Sequence, residues 1–273
     1  MFELLSYEFV QRAIAASLLG GITCGIVGVW VILLNIPFVG VAMSHSAFAG
    51  AVFGVLIGLN PLITSMLFCL ASAVLIGPIA DRGDFSPNIS VGVIFSFVLG
   101  IAFLCLGLLR GSKTEALNFL WGNILTVSNQ EIVLLLVTAA LIILVLKLLF
   151  REILAVLFNC EIAEAVGIPE KTILYLLLSL CGMTVTLNLN TVGGLLIFSL
   201  ITSSPLAAYQ LTYDLKKMYF LSALFGVMSC LTGLFLSYYF NVPSGAVIII
   251  VSSMIFIICM TFSPKRRAKD YES

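Results

Sequence analysis

Hydrophobic positions in this chain are grouped into long unbroken runs. Residues 13–80, 172–213 and 218–264 contain no Asp, Glu, Lys or Arg, and each run is long enough for at least two bilayer crossings. Turn-forming clusters divide the runs. Asn35-Ile36-Pro37 and Asn60-Pro61 interrupt the first, Asp81 to Pro87 ends it, and Asn241-Val242-Pro243 makes a final hairpin. The pattern predicts an all-α polytopic transmembrane bundle of about nine spans, near 13–34, 38–59, 62–80, 88–109, 131–150, 172–188, 191–210, 218–240 and 243–262. The transmembrane domain is expected over 1–264, with residues 1–12 as an interfacial helix, 151–171 as a polar interspan loop and 265–273 as a basic tail. MFELLSYEFVQRA places Glu3 and Glu8 ahead of any apolar run, so it lacks the basic start of a signal peptide.

Composition agrees with the pattern. Of 273 residues 61% are hydrophobic and 10% charged, and mean hydropathy is +1.20. A net charge of zero and the lack of any basic stripe with interleaved aromatics exclude nucleic acid as a partner. The seven cysteines are scattered without a CxxC pair and read as small buried hydrophobes. Lysine and arginine set the orientation. With nine spans and a cytoplasmic C-terminus, ten of them fall inside and Arg12, Arg110 and Lys113 outside, which places the N-terminus outside.

One stretch carries a chemical signal. FVGVAMSHSAFAGAVFGVLIGL, residues 38–59, holds the only histidine of the chain, His45, roughly 5 Å from the middle of the span. An ionisable group at that depth points to a pathway or a ligand. On the same helix Ala42, Ser46, Gly50, Gly54 and Gly58 recur every four residues and form a ridge on which another helix can pack closely. Val41 and His45 form the neighbouring row, facing a cavity beside that seam. The plain alternative is a neutral core histidine bonded to a nearby carbonyl.

Enzymatic chemistry finds no support. No span carries a serine with a base, paired aspartates or a HExxH site, and no carboxylate lies in the inner part of any span. GxxxxGK[ST] is absent, so a pathway here draws its energy from another subunit. Two further stretches fit that idea. CEIAEAVGIPEK, with Glu161, Ala163, Glu164 and Ala165, predicts a short helix stopped by Gly167 and Pro169, able to face a cytoplasmic partner or simply to be solvated. LNTVGGLLIFSLITSSPLAAY puts Gly193-Gly194 and Thr202-Ser203-Ser204-Pro205 in one apolar run; Pro205 predicts a kinked or broken helix whose freed carbonyl is satisfied by the hydroxyls. A secondary transporter or channel for a small neutral or organic substrate, with His45 structural, is the competing expectation.

Across residues 4–264 the chain resembles the membrane permease subunits of ATP-binding-cassette importers for zinc, manganese and iron. The likeness lies in Ser44-His45 with Gly50 and Asn60-Pro61, in NFLWGNIL at 118–125, and in AEAVGIP at 163–169. It continues at Val192-Gly193, Pro205, Ser237-Tyr238 with Pro243-Ser244-Gly245-Ala246, and Phe262-Ser263-Pro264. The resemblance implies a homodimeric permease in a prokaryotic plasma membrane, served by cytoplasmic ATP-binding subunits and an extracytoplasmic metal-binding protein. A divalent metal ion would be its substrate, with no permanently bound cofactor. It implies that His45 is the intramembrane metal ligand and that Glu161, Ala163, Glu164 and Gly167 belong to the ATPase-coupling segment. Many relatives carry Asp where this chain has Val41, and an acid is common at the position of Asn88. Without a carboxylate one turn before the histidine, the expected cargo shifts from Mn²⁺ toward Zn²⁺.

Overall fold

The computed structural model describes residues 7–83, 86–109, 119, 127–189 and 193–265; among them lie eleven helices and no strand. In order these are α1 (Glu8–Leu33), α2 (Val39–Ile57), α3 (Pro61–Gly83), α4 (Pro87–Leu108), α5 (Asn129–Leu148), α6 (Phe150–Phe158), α7 (Cys160–Ala165), α8 (Glu170–Leu189), α9 (Gly194–Leu211), α10 (Leu215–Phe240) and α11 (Ser244–Thr261). Each of the nine apolar segments is one of these helices. Eight are long and apolar enough to cross a membrane, and the ninth, α9, has a shorter apolar stretch, Leu196–Leu211.

Local chemistry sets the ends. α5 starts at a capping box in which Ser128 and Glu131 satisfy each other's backbone N–H groups, and α10 starts at Asp214, whose carboxylate accepts from the N–H of Lys216 and Lys217. α2 stops where Gly58 turns left-handed at φ 74°. Residues 8–12 are the first turns of α1, where Arg12 pairs with Glu8; residues 1–6 lie outside the described residues.

α1 packs along α10 and also touches α5, α8 and α9. The α1–α10 contact is backbone to backbone. A Cβ on Gly21 would lie 2.6 Å from Val227 N, and one on Gly226 2.3 Å from Gly21 O. Ser222 Oγ donates to Gly25 O at 2.7 Å, and Trp30 Nε1 donates to Tyr219 Oη at 2.7 Å, both fully inside the bundle. Such close approach is how helices attract one another where lipid supplies no hydrophobic drive.

On the other side α2 is wrapped by α3, α4, α8 and α9. Its small ridge packs on α3 as the spacing predicts: a Cβ on Gly50 would meet Thr64 O at 2.5 Å, and the Ser46 and Ser72 hydroxyls bond at 2.8 Å.

Two expectations change. Residues 151–171 are not one loop with a single short helix but hold two helices, α6 and α7, because Ile153 and Val156 give α6 a face that buries itself. α9 runs on through Pro205, and the carbonyl which proline leaves unpaired, that of Ile201, is not met by the neighbouring hydroxyls. Thr202 turns instead to Phe198 O, while Ile201 O lies against Gly28 of α1, where a Cβ would sit 2.2 Å away. The backbone of Gly28, rather than a hydroxyl, covers that oxygen.

Candidate functional site

From Val39 to Val52 every residue of α2 is buried except Val41 and His45. These two sit one turn apart, so the row singled out by spacing is the one that faces unfilled space. His45 meets the edge of Phe95 on α4, with ring centroids 5.0 Å apart and planes at 83°. Its Nδ1 lies 3.0 Å from Val41 O. A carbonyl only accepts, so that contact places the ring proton on Nδ1 and leaves the Nε2 lone pair for a ligand. This is the arrangement a metal-binding imidazole uses, with its other nitrogen held by a carbonyl. The plain core histidine shares that hydrogen bond.

Ser44, beside His45, turns the other way and donates to Gly194 O at 2.7 Å. Gly194 begins α9, after Gly193 has turned the chain at φ 92°. At about the same level Cys69 of α3 donates to Met43 O at 3.2 Å, and Gly182 of α8 packs on Cys69. From Gly182, α8 continues seven residues to Leu189, about 10 Å. α9 therefore starts beside Ser44, one residue from the histidine, rather than at the membrane boundary. A helix beginning at mid-depth next to an ionisable residue is a feature of transport paths.

The structure brings Val41, Ser44, His45 and Gly193 into one neighbourhood. Gly50 and Gly54 belong to the α2–α3 seam. Ser204 and Pro205 lie ten and eleven residues along α9 from Gly194, roughly 15 Å away, with Pro205 against Gly28 of α1. Ser204 Oγ is buried there without a hydrogen-bond partner. Asn88 sits at the start of α4 and donates to Asn35 O at 2.8 Å, pinning the α1–α2 turn rather than facing His45. Among the described residues no three of His, Cys, Asp and Glu come together. NFLWGNIL, apart from Phe119, and Val192 lie outside the described residues, as does the tail beyond Lys265.

Away from the site, α7 follows the sequence expectation closely. Asn159 caps it, Ala163 is buried, Glu161 and Glu164 are exposed, and Gly167 ends it at φ 85°. Ile162 and Val166 stand exposed beside them, giving the helix an apolar as well as an acidic face. Burial, with Glu170 and Glu161 nearby, pushes the Cys160 thiol up from its ordinary value.

Sequence reasoning missed Phe95, which nothing in the pattern of α4 distinguishes from its other aromatics. It also missed a corner at the far end of α9. There Leu33, Leu154, Leu157, Phe158, Tyr209 and Met218 help to line a cavity of about 220 Å³, with Lys265 at its edge.

Comparison with known proteins adds a name for the architecture. Residues 6–263 match the family model described as ABC 3 transport family. The manganese transport system membrane protein MntC of Halalkalibacterium halodurans is 32% identical over 264 residues, covering 97% of this chain and 90% of the relative. The manganese import system permease protein ScaB of Streptococcus parasanguinis is 29% identical, covering 97% and 94%. A solved structure, PsaBC from Streptococcus pneumoniae in complex with Fab, superposes with a TM-score of 0.88 at 29% identity, covering all of this chain and 98% of that one.

Proposed function

The chain belongs to the ABC 3 transport family and is an integral plasma-membrane permease, a transport subunit of a metal importer rather than an enzyme; from that premise we propose that its cargo is Mn²⁺ and that His45 is its intramembrane ligand. The observation that carries the site is the half-buried Val41–His45 row, with Nδ1 on a carbonyl and Nε2 free. The cargo is read from the relatives, which are named for manganese. Zn²⁺, expected from the missing carboxylate at Val41, finds no such support. A lone imidazole leaves the ion most of its water or other oxygen ligands, which suits a cargo that must leave as readily as it enters.

Cytoplasmic ATP-binding subunits dock on α7, an extracytoplasmic metal-binding protein delivers the ion, and two copies of the permease flank the path. The orientation is N-terminus outside and C-terminus inside. It is supported by the lysine and arginine asymmetry and by one cavity that gathers the end of α1 (Leu33), α6 (Phe158), the α9–α10 corner (Tyr213, Leu215) and Lys265. In an odd-span arrangement all of these ends share the cytoplasmic side.

The test is reconstitution of the permease with its ATP-binding subunit in liposomes, measuring Mn²⁺ and Zn²⁺ entry. ATP-dependent Mn²⁺ uptake that His45→Ala abolishes is expected. Uptake without any ATPase, or ATP-driven uptake indifferent to His45, would overturn the reading.

A further inference from the structure

The two ends of α9 meet the two parts of the molecule that transport has to connect. At its start, Ser44 Oγ donates to Gly194 O at 2.7 Å, one residue from His45, and Gly40 of α2 packs on Phe198 and Ile201. At its other end Lys265 Nζ lies 3.4 Å from the centroid of the Tyr209 ring and 4.4 Å from that of Tyr213. Ser263, fully buried, donates to Gln210 at 2.9 Å, so the segment that follows α11 is latched across the last turn of α9. The same corner is lined by Leu154, Leu157 and Phe158 of α6, the helix that leads directly into α7.

Between these ends α9 is held rather than free. Ile201 O and Pro205 press on Gly28, and Ser199 bonds Ser252 of α11 at 2.8 Å. Fifteen residues separate Gly194 from Tyr209, about 22 Å along the axis. Held this way, α9 is one continuous helix running from the cavity it shares with α6 to Ser44. Partial burial also holds Lys265 below the ordinary lysine range, and a cation against two aromatic faces is stabilised most where water is scarce.

We propose that α9 is the element that transmits ATPase-driven movement at α6–α7 to the His45 site, with Lys265 and Ser44 as the positioning residues at its two ends. The inference rests on the permease reading. Lys265 sets where the inner end of α9 stands, and Ser44 converts that position into the setting of the α2 row that carries the metal ligand.

The experiment uses the permease–ATPase complex in liposomes and reads Mn²⁺ imported per ATP hydrolysed. Lys265→Gln should lower that ratio about fivefold or more while the unfolding midpoint stays in place, and Lys265→Arg, which keeps a cation over the rings, should restore it. Ser44→Ala should lower it similarly. Sites so far apart normally act independently, so unlinked effects would multiply. If α9 joins them, the double variant falls short of the product by more than about threefold. Multiplying effects would overturn the link, and so would a Lys265→Gln protein that is merely less stable with an unchanged ratio. Should Lys265→Gln fail to fold, Tyr213→Leu with Tyr209 retained tests the same grip, and an unchanged ratio there is equally fatal. If the unaltered complex moves no Mn²⁺, it is the permease reading that fails.

Discussion

Glycine serves opposite ends in two regions of this protein. Along α1 and α10, Gly21, Gly25, Gly28 and Gly226 each have backbone of a neighbouring helix closer than 3 Å to where a Cβ would stand. Along α4, Gly92, Gly100 and Gly107 have none of the described residues within 4 Å of that point. The first set makes a filled half. The second lies on the helix whose Phe95 flanks His45, on a face that the described residues leave uncovered. The difference assigns the α1–α10 half to support and the α2–α4 edge to a surface still open to lipid, partner or path.

The largest expected effect breaks the filled half. Gly226→Leu drives a side chain into Gly21 O, where even a single carbon would lie at 2.3 Å. With backbone on the far side there is no flexible end to yield, so the cost should exceed the about 1–3 kcal/mol of ordinary overpacking. Folded yield in detergent is the measurement. A monodisperse protein at normal yield would show that the helices can part.

Next comes the open edge. His45→Ala should reduce metal uptake by at least about tenfold with little change in folding, since alanine suits a close-packed helix. Val41→Asp adds a hard oxygen one turn from the imidazole. Mn²⁺ uptake should then rise relative to Zn²⁺, and only while His45 is present. An effect of Val41→Asp that survives in His45→Ala would mean that the row is not one site.

A smaller effect returns to the filled half. Trp30→Phe leaves the buried Tyr219 hydroxyl without its donor, for a loss of about 1 kcal/mol. Tyr219→Phe should cost a similar amount, and the pair together less than the sum, read from unfolding midpoints. Full additivity would show the two to be independent.

What the sequence revealed follows from the kind of signal each feature leaves. Nine helices were legible because burial in lipid demands long apolar runs, and α7 because Gly167 and Pro169 mark its end. The Val41–His45 row was legible because a period of four on α2 separates it from the small ridge. α6 was missed: Arg151 and Glu152 in its first turn read as the start of a polar loop, and only the buried pair Ile153 and Val156 reveals a packed face. The latch at Lys265 was illegible for a different reason. It joins residues more than fifty positions apart, and nothing local in Tyr209, Tyr213 or Lys265 announces a common corner. The fate of the Ile201 carbonyl was misjudged because proline advertises the vacancy, whereas the glycine that covers it sits on another helix.

The finest test of the comparison is Gly100→Ala. On a helix with open space around it, a methyl group meets nothing and the backbone loses unfolded-state freedom, an effect worth up to about 1 kcal/mol in water. In a bilayer the helix persists in the reference state too, so the gain should shrink to within about 0.5 kcal/mol of zero. The same methyl at Gly226 would meet Gly21 O, so the two substitutions, identical in chemistry, should differ by more than the error of a thermal scan. Self-association then decides what the open face is for. If lipid covers α4, Gly100→Ala leaves both the unfolding midpoint and the oligomeric state unchanged. If a second copy packs there, the midpoint of the isolated chain holds while the dimer fraction falls, because Gly92, Ser96 and Gly100 stand four residues apart on one exposed face and a single methyl holds two backbones apart. A clear loss of stability in the isolated chain would contradict both outcomes and remove the contrast between the two sets of glycines.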